Sequence, residues 1–136
     1  MSNKLLILFI SCFSMFLFSC REKSFEEYDK SEFYKTQGII ISAKQTKTIL
    51  DDPFLKEIKY EYFVNDSLIL KDSEDFSFVD MQRGVPVEVL VHKKNHEVSF
   101  YWRNGISEFA TPYQLEYIQK KMDTIFAEIE KVSLKK

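Results

Sequence analysis

The spacing of hydrophobic positions changes twice along this chain. From Leu5 to Phe18 they run almost unbroken, interrupted only by Ser11, Cys12 and Ser14. From Phe33 to Trp102 they recur mainly at every second position. After Pro112 they recur at every third or fourth. An unbroken run, a period of two and a period near 3.6 predict, in order, a membrane-directed leader, a set of half-buried strands and an amphipathic helix.

In the β region, "IIISA" (39–43) is rich in β-branched residues and follows Gly38, which suggests a bend or bulge within a long first strand. Asp51-Asp52-Pro53 signals a turn. "IKYEYFV" (58–64) sets Ile58, Tyr60, Tyr62 and Val64 against Lys59, Glu61 and Phe63. Asn65-Asp66 is then expected as a two-residue hairpin turn, pairing Tyr62 with Ile69, Phe63 with Leu68 and Lys59 with Asp72. "KDSED" (71–75) reads as a charged loop and "FSFV" (76–79) as a short strand. "RGVPVEVLVH" (83–92) places Val85, Val87, Val89 and Val91 on one face, with Pro86 near the strand start where a missing donor is tolerated. "KKNH" (93–96) is a turn, and "EVSFYW" (97–102) sends Val98, Phe100 and Trp102 inward.

Thr111-Pro112-Tyr113-Gln114 has the pattern of a helix start: a capping threonine, proline at the first helical position and glutamine to complete a capping box. Leu115, Ile118, Met122, Ile125, Ile129 and Val132 follow at helical spacing, so a helix is expected over about 112–133, its stripe covering the sheet. The fold class expected is α+β: a small antiparallel sheet, either a meander or an open barrel, with one C-terminal amphipathic helix.

The leader changes the picture of where this domain works. Fourteen residues of helix reach about 21 Å, short of the roughly 30 Å hydrocarbon core, so a signal peptide is expected rather than a span. It ends in Leu17-Phe18-Ser19-Cys20, which resembles the lipobox of bacterial lipoproteins. That resemblance implies lipid (diacylglycerol, palmitate) on Cys20 and cleavage before it. The expected organisation is a signal peptide at 1–19, a lipid-anchored tether at 20–32 and a single domain at 33–136. It places the protein extracytoplasmically on a bacterial cell membrane or outer membrane. Acidic Glu22, Glu26 and Glu27 resemble the surface-export tags of some such lipoproteins, and a solvated spacer is the simpler reading.

The chain holds 19 Lys and Arg against 21 Asp and Glu, a net charge of −2. An acidic balance argues against nucleic-acid binding, which needs a basic face to neutralise phosphates. Two cysteines are present. Cys12 lies in the leader and Cys20 is the lipid site, which leaves the mature chain without a disulfide, a thiol nucleophile or a thiolate metal site.

Residues 38–102 also resemble a family of small bacterial β domains of unknown function. Gly38 and Ile40, then Tyr60, Tyr62, Val64 and Asn65, then Gly84, Val87, Val89 and Asn95 carry the likeness. It implies a β fold and no particular chemistry.

Candidate chemistry is sparse. His92 and His96 flank a turn and, with Glu88 or Glu97, could converge on zinc; solvated turn histidines without a metal are the simpler reading. The acids Asp51, Asp52, Asp72, Glu74 and Asp75 lack the alternation and central glycine of a calcium loop and read as solvated. No nucleophile elbow, phosphate loop or dinucleotide fingerprint occurs. In "FYWRNG" (100–105), Tyr101 and Arg103 share the side opposite Phe100 and Trp102; either they meet an envelope protein or glycan partner, or Tyr101 is core beneath a helix. The expected function is a non-catalytic binding or structural module without a cofactor or metal. The alternative is a small exported enzyme or metal-dependent hydrolase using His92 and His96.

Overall fold

A computed structural model describes residues 22–46, 53–76 and 81–135. The leader, Cys20, the Asp51-Asp52 turn and residues 77–79 lie outside them. The chain divides after Lys30. In the first unit, Phe25–Glu27 forms one 3-10 turn, and the Glu27 carboxylate accepts the Ser24 amide at 2.9 Å.

The second unit is an α+β fold. It contains β1 (Phe33–Gln45), β2 (Lys56–Asn65), β3 (Leu68–Phe76), β4 (Pro86–His92), β5 (Ser99–Asn104) and α1 (Pro112–Ser133). The strands form one open antiparallel sheet in the order β3-β2-β1-β4-β5. β1 to β3 run as a meander, and β4 then returns beside β1 to start a second hairpin. The long β1 is therefore central and bonded on both sides.

Alternation gives the sheet two different faces. Ile40, Ile58, Tyr60, Tyr62, Met81, Val87, Val89 and Val91 make the larger core on the inner face. Ile39, Phe63, Ile118 and Ile125 make a smaller one on the outer face, beneath α1. Among the described residues no helix covers the larger core. Instead the sheet curls until its edges meet, and side chains tie β3 to β5. Tyr101 donates its amide to Glu74 Oε1 at 2.7 Å, Ser99 Oγ donates to Asp72 Oδ2 at 2.6 Å, and the rings of Phe76 and Tyr101 stack edge-on at 4.9 Å.

Gly38 sits where β1 is squeezed between β2 and β4. A Cβ there would lie 2.7 Å from the Glu61 carbonyl oxygen and 3.0 Å from Val89 Cγ2, so the position needs glycine for close approach. The irregularity expected near it falls two or three residues later, where the register shifts between Ile40 and Ser42.

Several ties hold α1 to the sheet. Thr111 caps its start and accepts the Gln114 amide, while Asp66 Oδ1 accepts from Thr111 Oγ1 at 2.8 Å and Gln114 Nε2 at 3.0 Å. Tyr117 donates to buried Glu61 at 2.8 Å, joined by Lys121 at 3.1 Å. Burial opposes the Lys121 charge, but Glu61 more than offsets this and raises its pKa above the ordinary lysine value. Arg83 reaches from the β4 approach to Glu128 and to the Ile41 carbonyl. Finally, Gly84, at φ +90°, lies under Ile125. The helix spans the range expected, but only the middle of its stripe is covered. Ile118 and Ile125 are buried, whereas Leu115, Ile129 and Val132 are exposed.

Two expectations are corrected. "KDSED" is not a loop but the middle of β3, with Asp72 and Glu74 turned inward and Lys71, Ser73 and Asp75 outward. The β2–β3 register is also shifted by one: Tyr62 pairs with Leu70, Phe63 with Ile69, Asn65 with Leu68 and Lys59 with Ser73. The cause is a bulge at Val64, which moves the turn to Asp66-Ser67. Asn65 Oδ1 stabilises that turn by accepting the Ser67 amide at 2.9 Å.

Gly38→Ala should lower stability by about 1–3 kcal/mol, because the methyl group meets backbone rather than a movable side chain. Urea denaturation of wild type and variant measures this; an unchanged midpoint would refute the close-approach account.

Candidate functional site

The outer face beyond α1 carries a compact charged cluster. β4 places Glu88 there, opposite Gln37 on one side and Arg103 on the other. Its side chain has no exposed surface. Arg103 approaches its two carboxylate oxygens at 3.4 and 3.3 Å, and Lys35 Nζ lies 3.5 Å from Oε1. Burial works against the Glu88 charge, but hydrogen bonds from Arg103 and Ser107, with the charges of Arg103 and Lys35, outweigh it and hold its carboxyl below the ordinary range. Gln37 secures the surroundings. Its amide nitrogen donates to the carbonyls of Gly38 and Val87 at 2.8 and 3.0 Å, and its oxygen accepts the Ser107 amide at 2.7 Å. The loop after β5 is thereby pinned over the carboxylate.

Trp102 borders this cluster, with Lys35 Nζ 5.7 Å from its ring centroid. The indole is 46% exposed and occupies an extra position in β5. Arg103 pairs with Glu88 and Tyr101 with the next residue, Val89, so the register of the ladder shifts at Trp102. Bulges of this kind re-aim side chains. The result is an exposed surface of one aromatic ring and two cations, oriented by a buried carboxylate. Arginine and tryptophan are the residue types that anchor protein interfaces most often.

The bulge also separates the two residues grouped as partner-binding from sequence. In an unbroken strand Tyr101 and Arg103 would share a face. Here Tyr101 joins Val89 on the inner face and packs against the large core, while Arg103 joins Glu88 outside. Phe100 is not on the inner face either. It pairs with Leu90 and packs its ring 5.8 Å from Phe33 on the outer side. Of the sequence candidates, Arg103 belongs to the surface cluster and Tyr101 does not. Lys35, Glu88 and Trp102 were missed as a group. Their only sequence signal was glutamate inside an otherwise apolar strand, "VEVLV".

The histidines do not converge. His92 packs edge-on against Phe33, and His96 against Tyr34; neighbouring strand residues face opposite sides of the sheet. His92 Nδ1 accepts the amides of Lys94 and Asn95 at 3.2 and 3.1 Å, and Nε2 lies 3.4 Å from Glu32. His92 is thus a turn-former that ties the start of β1 to the β4–β5 hairpin. The His96 backbone carbonyl accepts the Tyr62 hydroxyl at 2.6 Å. Among the described residues, no group of three or more His, Cys, Asp or Glu is placed to hold a metal ion.

An open groove of about 720 Å³ lies between the β2–β3 turn and the start of α1. Its principal acid, Asp66, is already engaged in capping the helix.

Replacing Arg103 with Gln leaves Glu88 with weaker partners and should cost about 1–2 kcal/mol at neutral pH. Because the folded carboxyl is held low, its contribution is present above the ordinary carboxylate value and lost as pH falls through the folded one. Acid unfolding of Arg103→Gln should therefore begin at a higher pH than in wild type, as followed by circular dichroism. Coincident acid transitions would contradict the pairing.

The chain matches no protein-family model, no curated protein and no solved structure.

Proposed function

We propose that this chain is a lipoprotein of a bacterial cell envelope, anchored by lipid on Cys20. Its domain is a non-catalytic binding module that offers the Lys35, Trp102 and Arg103 surface to an envelope protein. The observation that carries the anchoring is the apolar run Leu5–Phe18 ending in Leu17-Phe18-Ser19-Cys20. Among the described residues no helix is long and apolar enough to cross a membrane, and acyl chains, each methylene contributing about 0.8 kcal/mol, supply membrane attachment without one.

The binding reading is supported by how the sheet is filled. Tyr60, Tyr62 and Met81 occupy its inner face, which leaves the outer surface for recognition. The hydrolase alternative gains nothing from the geometry, since the imidazoles of His92 and His96 lie on opposite faces.

Metabolic labelling with palmitate tests the anchor: wild type should incorporate label and Cys20→Ala should not, with its precursor left uncut. Label in the alanine variant, or normal processing of it, would overturn the assignment. For the surface, a photo-crosslinking residue in place of Trp102 should give a discrete adduct in native cells, and one in place of exposed Glu116 should give none. Equal labelling at both positions would remove the surface from consideration.

A further inference from the structure

Three oxygen-to-oxygen contacts run in series across the junction of β3 and β5. Glu74 Oε1 is 2.7 Å from the Tyr60 hydroxyl, that hydroxyl is 3.1 Å from Ser99 Oγ, and Ser99 Oγ is 2.6 Å from Asp72 Oδ2. Each hydrogen bond needs one hydrogen, and an ionised carboxylate brings none. With both acids ionised the chain holds two hydrogens, on Tyr60 and Ser99. Tyr60 then donates to Glu74 and Ser99 to Asp72, and two hydroxyl oxygens face each other at 3.1 Å with nothing between them. A third hydrogen fills the gap. Placed on Glu74 it is donated to Tyr60, Tyr60 donates to Ser99, and Ser99 to Asp72.

The surroundings favour that extra hydrogen. Tyr60 has no exposed surface and Ser99 is 5% exposed. Ile58 stands across the ladder from Glu74. The titratable neighbours are Tyr34 from β1, Tyr60 and Tyr62 from β2 and the two acids from β3, while β5 brings the Ser99 hydroxyl and the Tyr101 amide as hydrogen-bonding groups. β4 contributes Val87, Val89 and Val91 to the same core, and Glu97, next to the β4–β5 turn, adds negative charge near Tyr62.

We propose that Glu74 holds a proton that completes the hydrogen-bond chain through Tyr60 and Ser99 to the Asp72 carboxylate, so that the β3–β5 junction is a latch that is tight in acid and loosens toward neutral pH. In agreement, burial above all, and the neighbouring Asp72 charge, push the Glu74 carboxyl above its ordinary value of 4.5, although bonds from Tyr60 and the Tyr101 amide oppose the shift. The sign follows from proton linkage. A carboxyl raised in the folded state holds more protons folded than unfolded, so its contribution falls as pH climbs from the ordinary carboxylate value through the folded one. The strand released is β5, which carries Trp102 and Arg103. Ambient pH would thus govern how firmly that surface is presented.

Asp72→Asn supplies the missing hydrogen permanently. Asp72 Oδ1 accepts the Ser73 amide at 2.8 Å, which directs the new amide nitrogen to the Oδ2 position, where it donates to Ser99. Glu74→Gln removes the titrating group and keeps an acceptor for the Tyr101 amide. The test is hydrogen exchange of the Tyr101 amide in the full chain at pH 5 and pH 8, corrected for intrinsic rates, with β1–β2 ladder amides as the internal reference. Wild type should lose Tyr101 protection several-fold between the two pH values while the reference holds, and both variants should stay flat. Constant protection in wild type, an equal loss in either folded variant, or a parallel loss in the reference amides would overturn the latch.

Discussion

Among the described residues one sheet with one helix has two apolar faces and a single cover, and the architecture follows from that shortage. The helix shields the smaller core around Ile39 and Phe63. The larger core must be sealed by the sheet itself, which curls until β3 and β5 meet. Those edges are joined by side chains of Asp72, Glu74 and Phe76 rather than by a ladder. Occupying part of an exposed edge in this way also limits pairing with a second chain, the usual hazard of unpaired strands.

The outer face makes a different use of polarity. Gln37, Glu61 and Glu88 are buried there among strands that are otherwise apolar. Gln37 engages the loop after β5, Glu61 the helix, and Glu88 the cations of two flanking strands, Lys35 and Arg103. Among the described residues no buried side-chain nitrogen or oxygen lacks a partner. Such groups are expensive to bury and contribute little net stability when paired, but leaving one unpaired is costly. They therefore act as locators, fixing where the helix and loop come to rest on a surface that apolar packing alone would leave slippery.

Strands, helix and cap were legible from residue spacing because each depends on a local period. Thr111 and Gln114 announced the start of α1, and the four valines announced the inner face of β4. The acids of β3 were not legible. A run of five polar residues resembles a loop until its period of two is noticed, Asp72 and Glu74 inward with Ser73 between them, and what rewards those two carboxyls lies on β5, 27 residues away in each case. Of the bulges at Ile41, Val64 and Trp102, only the irregularity in β1 was expected, through Gly38, since a single extra residue leaves no mark on composition. Two of them decided the outcome. The one at Val64 changed a hairpin register, and the one at Trp102 sent Tyr101 and Arg103 to different faces. Of the surface cluster, Arg103 was legible, and Glu88 showed as one glutamate out of place among valines, while Lys35 and Trp102 were not.

The supernumerary place of Trp102 has a consequence for how this strand tolerates length change. Deleting that residue would bring Arg103 directly after Tyr101 and still opposite Glu88, giving an uninterrupted ladder with every neighbour retained. The cross-strand register on either side closes without a residue there, and what that residue adds is an indole beside Lys35. Gain or loss of this one codon would therefore change what the exterior displays.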